Sequence, residues 1–289
     1  MKSNWRVFTI VGLLVCSTGI ALAQSSQSGQ GSQSQPAQQP ADKAKTPEIT
    51  PLTLDAAPPV SADEDAAYKA FRDISPSPAD AAKKVESGEA FLLKYPQSRY
   101  KSPVYAGLVV GYLQVGQVPK MVEYGEKEIE IAPNDVSTLA ILGQTLPRSL
   151  RGNPPDAAQI LSKAEKYSKQ AIEITPTLPK PAEMTDEQFE KAKNQSLAMA
   201  HSGLGLVLVR RGKYAEAIPE LEQSVKIDPN PDPVNYYLLG LANKSTSHFD
   251  DAVAAFNRCV AMPGQMQATC KSAAEEAKKL GSTQLSAPK

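Results

Sequence analysis

The chain has 289 residues, enough for one or two domains. Its 31 basic and 31 acidic residues cancel to a formal net charge of zero, so no basic surplus exists to neutralise phosphates. Aromatic residues make up only 6%, too few for a base-stacking platform, and dedicated nucleic-acid binding is excluded.

Residues 1–23 read as a secretory signal peptide. Lys2 and Arg6 supply the positive start, the stretch from Val7 to Val15 is mostly apolar, and Ala21-Leu22-Ala23 is a small-x-small cleavage site. The apolar run is too short for a permanent membrane span. Cys16 follows Val15, where lipidation would want a small residue, so it belongs to the discarded segment. The expected localisation is periplasmic or secreted. Residues 24–60 are dominated by Gln, Ser, Pro, Gly and Ala and read as a disordered linker with a reach of roughly 30–35 Å.

From residue 61 onward the signals are helical. Ser61-x-x-Glu64 and Thr185-x-x-Gln188 are capping boxes. Ser77-Pro78, Ser102-Pro103 and Asp232-Pro233 each place a capping side chain before a first-turn proline, and Pro154-Pro155-Asp156 opens a further helix. Ile129-x-Ile131-Ala-Pro133, Ile172-x-Ile174-Thr-Pro176 and Val225-x-Ile227-Asp-Pro229 close three helices in one form, proline ending each because it has no N–H to donate. A long helix is expected from Asp186 to Arg211, after an irregular excursion over 175–185.

Near the C-terminus the sequence matches itself at an offset of about 35 residues. Leu204-Gly205 recurs as Leu239-Gly240, Tyr214 as Phe249, Ala217 as Ala252, and Leu221 as Phe256. The run Gly212-Lys213-Tyr214-Ala215-Glu216-Ala217, continuing to Leu221 and Asp228-Pro229, resembles the tetratricopeptide repeat. That resemblance implies an all-α, right-handed superhelix of helix–turn–helix units whose motifs specify a fold rather than an activity. The units are expected at about 61–96, 102–133, 135–176 with an insertion loop at 147–155, 186–229 and 232–264. A capping helix over 265–280 and a disordered tail over 281–289 complete the solenoid.

No catalytic, metal or cofactor constellation stands out. His201 lies in a close-packed helix and His248 at a turn, neither with a ligand partner at metal-site spacing. Gly203-x-Gly205 reads as a helix crossing rather than a nucleotide fingerprint. Glu123, Glu126, Glu128 and Glu130, with Lys127 among them, read as a solvated helix face. The chain is therefore expected not to be an enzyme.

The resemblance implies that the first helix of each unit lines a concave groove. Carried over to this sequence, the groove residues are Ala106, Val110, Leu113, Ala140, Gln144, Ser202, Leu206, Val209, Tyr237, Leu241 and Lys244. Such an apolar list suits a protein or peptide partner, in extended or helical form. The family's basic clamp for carboxylates needs paired positions, and only Arg210 and Lys244 lie near those faces. Cys259 and Cys270 flank a turn and leave two readings, a disulfide in an oxidising compartment or two small core residues, Cys259 standing where Ser224 stands one repeat earlier. Two functions follow as expectations: an interaction adaptor of the cell envelope, or a structural envelope protein whose apolar faces make a homo-oligomer.

Overall fold

A computed structural model describes residues 61–285. The expected signal peptide and linker (1–60) and the last residues of the tail (286–289) lie outside the described residues. Within them, eleven α-helices follow one another with no strand. They pack as consecutive pairs: α1 (Ala62–Arg72) with α2 (Ala81–Lys94), α3 (Lys101–Gln114) with α4 (Val118–Ile131), and α5 (Val136–Ser149) with α6 (Ala157–Ile174). After a 3-10 turn over Thr175–Thr177 come α7 (Asp186–Arg210) with α8 (Tyr214–Ile227), and α9 (Pro233–Ser245) with α10 (Phe249–Val260). α11 (Gln267–Leu285) closes the stack against α10 and runs five residues past the expected end of the cap at 280. A solenoid of helix pairs has no single centre, and three apolar clusters succeed one another along it. The first is built on Leu108, Leu139 and Leu142, the second on Leu204, Leu221 and Leu239, the third on Ala252, Phe256 and Ala277.

Local chemistry sets the helix ends. At α7 both halves of the capping box close: Gln188 N–H donates to Thr185 Oγ1 at 3.2 Å and Thr185 N–H to Gln188 Oε1 at 3.0 Å. At α1 only half closes. Ser61 accepts from Glu64 N–H, while the Glu64 carboxylate turns away to take the Ser98 hydroxyl at 2.5 Å. At α9 Asp232 accepts from Val234 N–H at 2.9 Å, and Pro233 takes the first helical position.

Two starts and one end differ from expectation. Ser77 caps only a turn, with α2 beginning at Ala81. Ser102 lies inside α3 and donates its hydroxyl to Glu128. α5 runs through Pro147 to Ser149, so the insertion loop is shorter than 147–155.

The turn inside a pair repeats in three places. Lys213 N–H reaches back to the Leu208 carbonyl at 2.9 Å, Gln117 to Tyr112 at 2.9 Å, and His248 to Asn243 at 2.9 Å. This is the six-to-one bond of a Schellman motif, and it needs the preceding residue in the left-handed region. Gly212 (φ 71°) and Gly116 (φ 75°) supply that conformation without strain. Between α9 and α10 Ser247 adopts it instead, at φ 64°.

Candidate functional site

A cleft of about 580 Å³ lies among the first helices of the first four pairs. One wall is a stripe of α3 at helical spacing: Pro103, Ala106, Gly107, Val110, Gly111 and Gln114. α5 adds Ser137, Thr138 and Ile141, and α7 adds Gln195, Ser196 and Met199. The last side comes from the end of α1 and the turn after it, with Tyr68, Phe71, Ile74, Pro76 and Pro78. The lining is mostly apolar with a few hydroxyls and amides, the composition of a site that takes apolar side chains and fixes their orientation.

That α1–α2 turn is held from two directions. Lys84 on α2 is buried, and its ammonium donates to the carbonyl oxygens of Phe71 (2.7 Å), Ile74 (3.2 Å) and Arg72 (3.3 Å). These carbonyls lie at the C-terminal end of α1 and in its turn, the place where a cation is most welcome. Burial pulls the Lys84 amine down to about 8, and the Asp73 carboxylate offsets part of that effect. Its ammonium also lies 4.0 Å from the centre of the Phe71 ring. From α3, Gln114 donates its amide to the Pro76 carbonyl at 2.7 Å.

Behind the α3 and α5 walls lie two carboxyl groups. Glu128 is only 2% exposed and accepts the Ser102 hydroxyl at 2.7 Å through Oε1, while its Oε2 is buried without a partner. Burial pushes its carboxyl up to about 7, the charge of Asp135 acting in the same direction and the Ser102 hydroxyl against it. Asp135 starts α5 with Oδ2 likewise sealed from solvent and unpaired. Its desolvation raises its pKa, and the nearby Thr138 hydroxyl and the N–H groups of Ser137 and Thr138 oppose the rise. Glu128 thus departs from the solvated acidic face expected of its helix. Glu123, paired with Lys120 and Lys127, and Glu126, paired with Lys163, meet that description better.

The structure sorts the residues carried over to the groove. Ala106 and Val110 line the cleft. Leu113 packs at the edge of the first core cluster, Ala140 is 1% exposed inside it, and Gln144 is half-buried on α5 outside the cleft lining.

Leu206 and Val209 are enclosed in the second cluster, where α7 is buried between its neighbours. Ser202 is engaged in a polar clasp. Arg148 of α5 binds Asp232 at 2.7 Å and the Ser202 hydroxyl at 3.1 Å, and Ser202 in turn donates to Asn235 at 2.7 Å. Tyr237 packs on Phe256 with ring centres 5.7 Å apart, and Leu241 lies against the second cluster. Lys244 pairs with Glu276 at 2.9 Å, and Arg210 donates to the Leu150 carbonyl, so both cations near the family's clamp faces are engaged elsewhere, in line with the missing paired positions. Cys259 and Cys270 form a disulfide, their Cα atoms 6.0 Å apart, that ties α10 to α11.

Most of the cleft is invisible in repeat spacing, because part of it comes from the irregular α1–α2 turn and from the extra turns at the start of α7. The signals available are the Ser75-Pro76-Ser77-Pro78 run and the unusual length of α7.

Among known proteins, two family models described as "Tetratricopeptide repeat" match residues 198–231 and 234–265. These segments coincide with the second half of α7 plus α8, and with α9 plus α10, where the Schellman turns at Gly212 and Ser247 sit. Residues 198–265 are two tetratricopeptide repeats. The chain's solved-structure neighbours include a thermophilic tetratricopeptide repeat protein of Thermus thermophilus, at 16% identity and a TM-score of 0.44, covering 75% of this chain and 99% of that one. Another is a tetratricopeptide repeat protein of Parabacteroides merdae, at 13% identity and a TM-score of 0.27, covering 75% and 100%. Neither likeness bears on function. No curated protein matches the chain.

Tetratricopeptide repeats in general indicate a protein–protein interaction scaffold, and proteins that carry them are typically not enzymes. Among the described residues no group of three or more His, Cys, Asp or Glu is placed to hold a metal ion. No helix among them is long and apolar enough to cross a membrane. His201 bonds Glu220 at 2.7 Å, and His248 bonds Thr246 at 3.0 Å.

Proposed function

We propose that this chain is a non-enzymatic adaptor of the cell envelope that holds an extended segment of a partner protein in the cleft between α3, α5, α7 and the α1–α2 turn. The observation that carries the reading is the cleft itself. It is a concavity of about 580 Å³, mostly apolar, on the face made by the first helices of successive units. An extended peptide inserts alternate side chains into such a groove and satisfies its backbone at the hydroxyls and amides of the wall. The envelope location is supported by the charged, apolar and small-x-small order of residues 1–23 and by the Cys259–Cys270 disulfide, which persists in oxidising compartments.

The test uses the secreted chain with a photo-reactive residue at Gln195 in the cleft wall or, as a control, at Leu93, which is 85% exposed on α2. The expected result is cross-linking from position 195 to one defined segment of a partner, absent from position 93 and lost in Val110→Glu. Equal labelling from both positions, or none from 195, would sink the reading. Cross-links from 195 to a second copy of the chain would favour the self-associating alternative.

A further inference from the structure

The cleft runs along α3. Tyr100, just before that helix, stacks on Tyr68 of α1 with ring centres 3.9 Å apart, and at the other end Gln114 donates to the Pro76 carbonyl beyond α1. α1 and α3 therefore lie side by side and point the same way. Between Pro103 and Gln114 the α3 wall is about 16 Å long at the helical rise. An extended chain covers that distance in about five residues.

The Gln114 end of the wall holds a polar group that is not satisfied. Gln114 is 7% exposed, its amide N–H serves Pro76, and its Oε1 is buried with no partner among the described residues. A buried acceptor in this state costs stability until an N–H reaches it.

The sequence that leads into α1 has the matching chemistry. From residue 24 to residue 46 there is no Val, Ile, Leu, Met, Phe, Tyr or Trp. The run Pro47-Glu48-Ile49-Thr50-Pro51-Leu52-Thr53-Leu54, continuing through Asp55 to Val60, then holds Ile49, Leu52, Leu54 and Val60. A plain spacer gives no reason to gather every large apolar side chain of this stretch next to the solenoid. Pro51 biases Thr50 towards extended backbone, and Leu52 and Leu54, two apart, share one face of an extended chain.

Reach and direction agree with this chemistry. Tyr68 lies about 10 Å along α1 from Ser61. Residues 55–60 extend to about 20 Å, enough to carry Leu54 from Ser61 to the Tyr68 and Pro103 end of the cleft. Laid antiparallel to α3, residues 49–54 then cover the wall and bring the N–H groups of Ile49 and Thr50 to the Gln114 end. Pro51 has no N–H to give there.

We infer that residues 49–54 are the resting occupant of the cleft, a ligand built into the chain that a partner segment must displace; this rests on the cleft being a peptide-binding site. Joined to Ser61 through residues 55–60, the segment meets the cleft at an effective concentration on the order of millimolar, so a few apolar contacts hold it. A partner with similarly spaced apolar side chains competes with it. The partner's apparent affinity is reduced by the fraction of chains whose cleft is open.

The experiment places a nitroxide label on Thr53→Cys in the full secreted chain. Cys259 and Cys270 are bonded to each other, so the introduced thiol is the one that reacts. The readouts are the methyl resonances of Met199, on the α7 side of the cleft, and of Met262, after α10 at the far end of the stack. Met199→Leu assigns the first and Met262→Leu the second. With no partner present, the expected result is loss of the Met199 signal, recovered when ascorbate quenches the label, while Met262 is unchanged. In Leu52→Asp/Leu54→Asp, which keeps the tether and removes its apolar anchors, the Met199 signal is expected to survive labelling.

A Met199 signal that survives labelling in the parent overturns the inference. So does one lost equally in the doubly substituted chain, which is nearness without docking. Capture of a partner segment from position 195 beside an unaffected Met199 keeps the adaptor reading and removes the built-in ligand. A seated segment with no partner captured from 195 does the reverse.

Discussion

Gly143 of α5 and Gly203 of α7 touch backbone to backbone. A Cβ placed on Gly203 would stand 2.5 Å from the Gly143 carbonyl oxygen and 2.8 Å from the Gln144 nitrogen, closer than real Cβ atoms come. Four residues along α5, Pro147 has no N–H to give to that carbonyl, so the fold leaves Gly143 O without its helical donor at the crossing point. One helix thus lacks a hydrogen bond and the other a side chain, and the third and fourth pairs join through backbone. Gly203→Ala is expected to force the two helices apart, with backbone rather than a flexible side chain in the way, at about 3 kcal/mol or more. Thermal denaturation would show a lowered midpoint. An unchanged midpoint would mean the helices do not cross this closely.

Ser247 makes under strain a turn that its counterparts make freely. Its φ of 64° is the conformation Gly212 and Gly116 adopt in the same hydrogen-bonded turn, and a left-handed residue with a Cβ costs about 1–2 kcal/mol. Ser247→Gly is therefore expected to raise stability by about 1 kcal/mol, less than the full strain because glycine adds entropy to the unfolded chain. Urea unfolding of the parent and the variant would check it, with no change in the slope expected.

The contrast between these two turns and the cleft shows what a sequence of this kind discloses. Repeat spacing marks positions that recur for packing reasons, and these are legible: the small residues at 205, 217, 240 and 252, the proline stops, and the helix pairs between them. The same signal misleads at Ser202, Leu206 and Val209. Placing a residue on the first helix of a unit does not say whether the next pair covers it, and here α7 is enclosed on most sides. Glu128 defies its sequence context for a related reason. Its neighbours Glu123, Glu126 and Glu130 are polar in the way a solvated face is, and only the partner Ser102, twenty-six positions earlier, draws this one carboxyl inward. The α1–α2 turn has no counterpart elsewhere in the chain, so no internal comparison marks it as a wall of the cleft.

Lys84 should be the residue on which that turn depends. Its ammonium donates to three carbonyl oxygens at the end of α1 and in the turn, of which only that of Phe71 also accepts a backbone N–H, from Ile74. Lys84→Met keeps the apolar stem and removes every donor, and a few buried acceptors left unpaired cost about 2–4 kcal/mol in total. The expected result is a loss of that size in global stability. Faster amide hydrogen exchange confined to residues 71–80 should accompany it, while α8 to α10 exchange as before. Uniformly faster exchange across the chain would contradict the local role.

The buried carboxyl of Glu128 gives stability a pH dependence whose sign is opposite to that of a surface ion pair. Its native pKa of about 7 exceeds the ordinary 4.5, so the folded chain binds this proton more tightly than the unfolded one. The resulting stabilisation is complete below about 4.5 and is lost as pH rises through about 7, and it amounts to roughly 3 kcal/mol. Glu123 and Glu165, whose cationic neighbours lower their pKa values, pull the other way, so the parent's profile alone does not isolate the effect. The difference between the parent and Glu128→Gln does. Urea unfolding at about pH 5 and about pH 8 should show the variant gaining on the parent as pH rises, by an amount of that order. A gap that stays constant with pH would mean that Glu128 is already ionised in the folded chain at the lower pH, and that water or an unseen partner reaches its second oxygen.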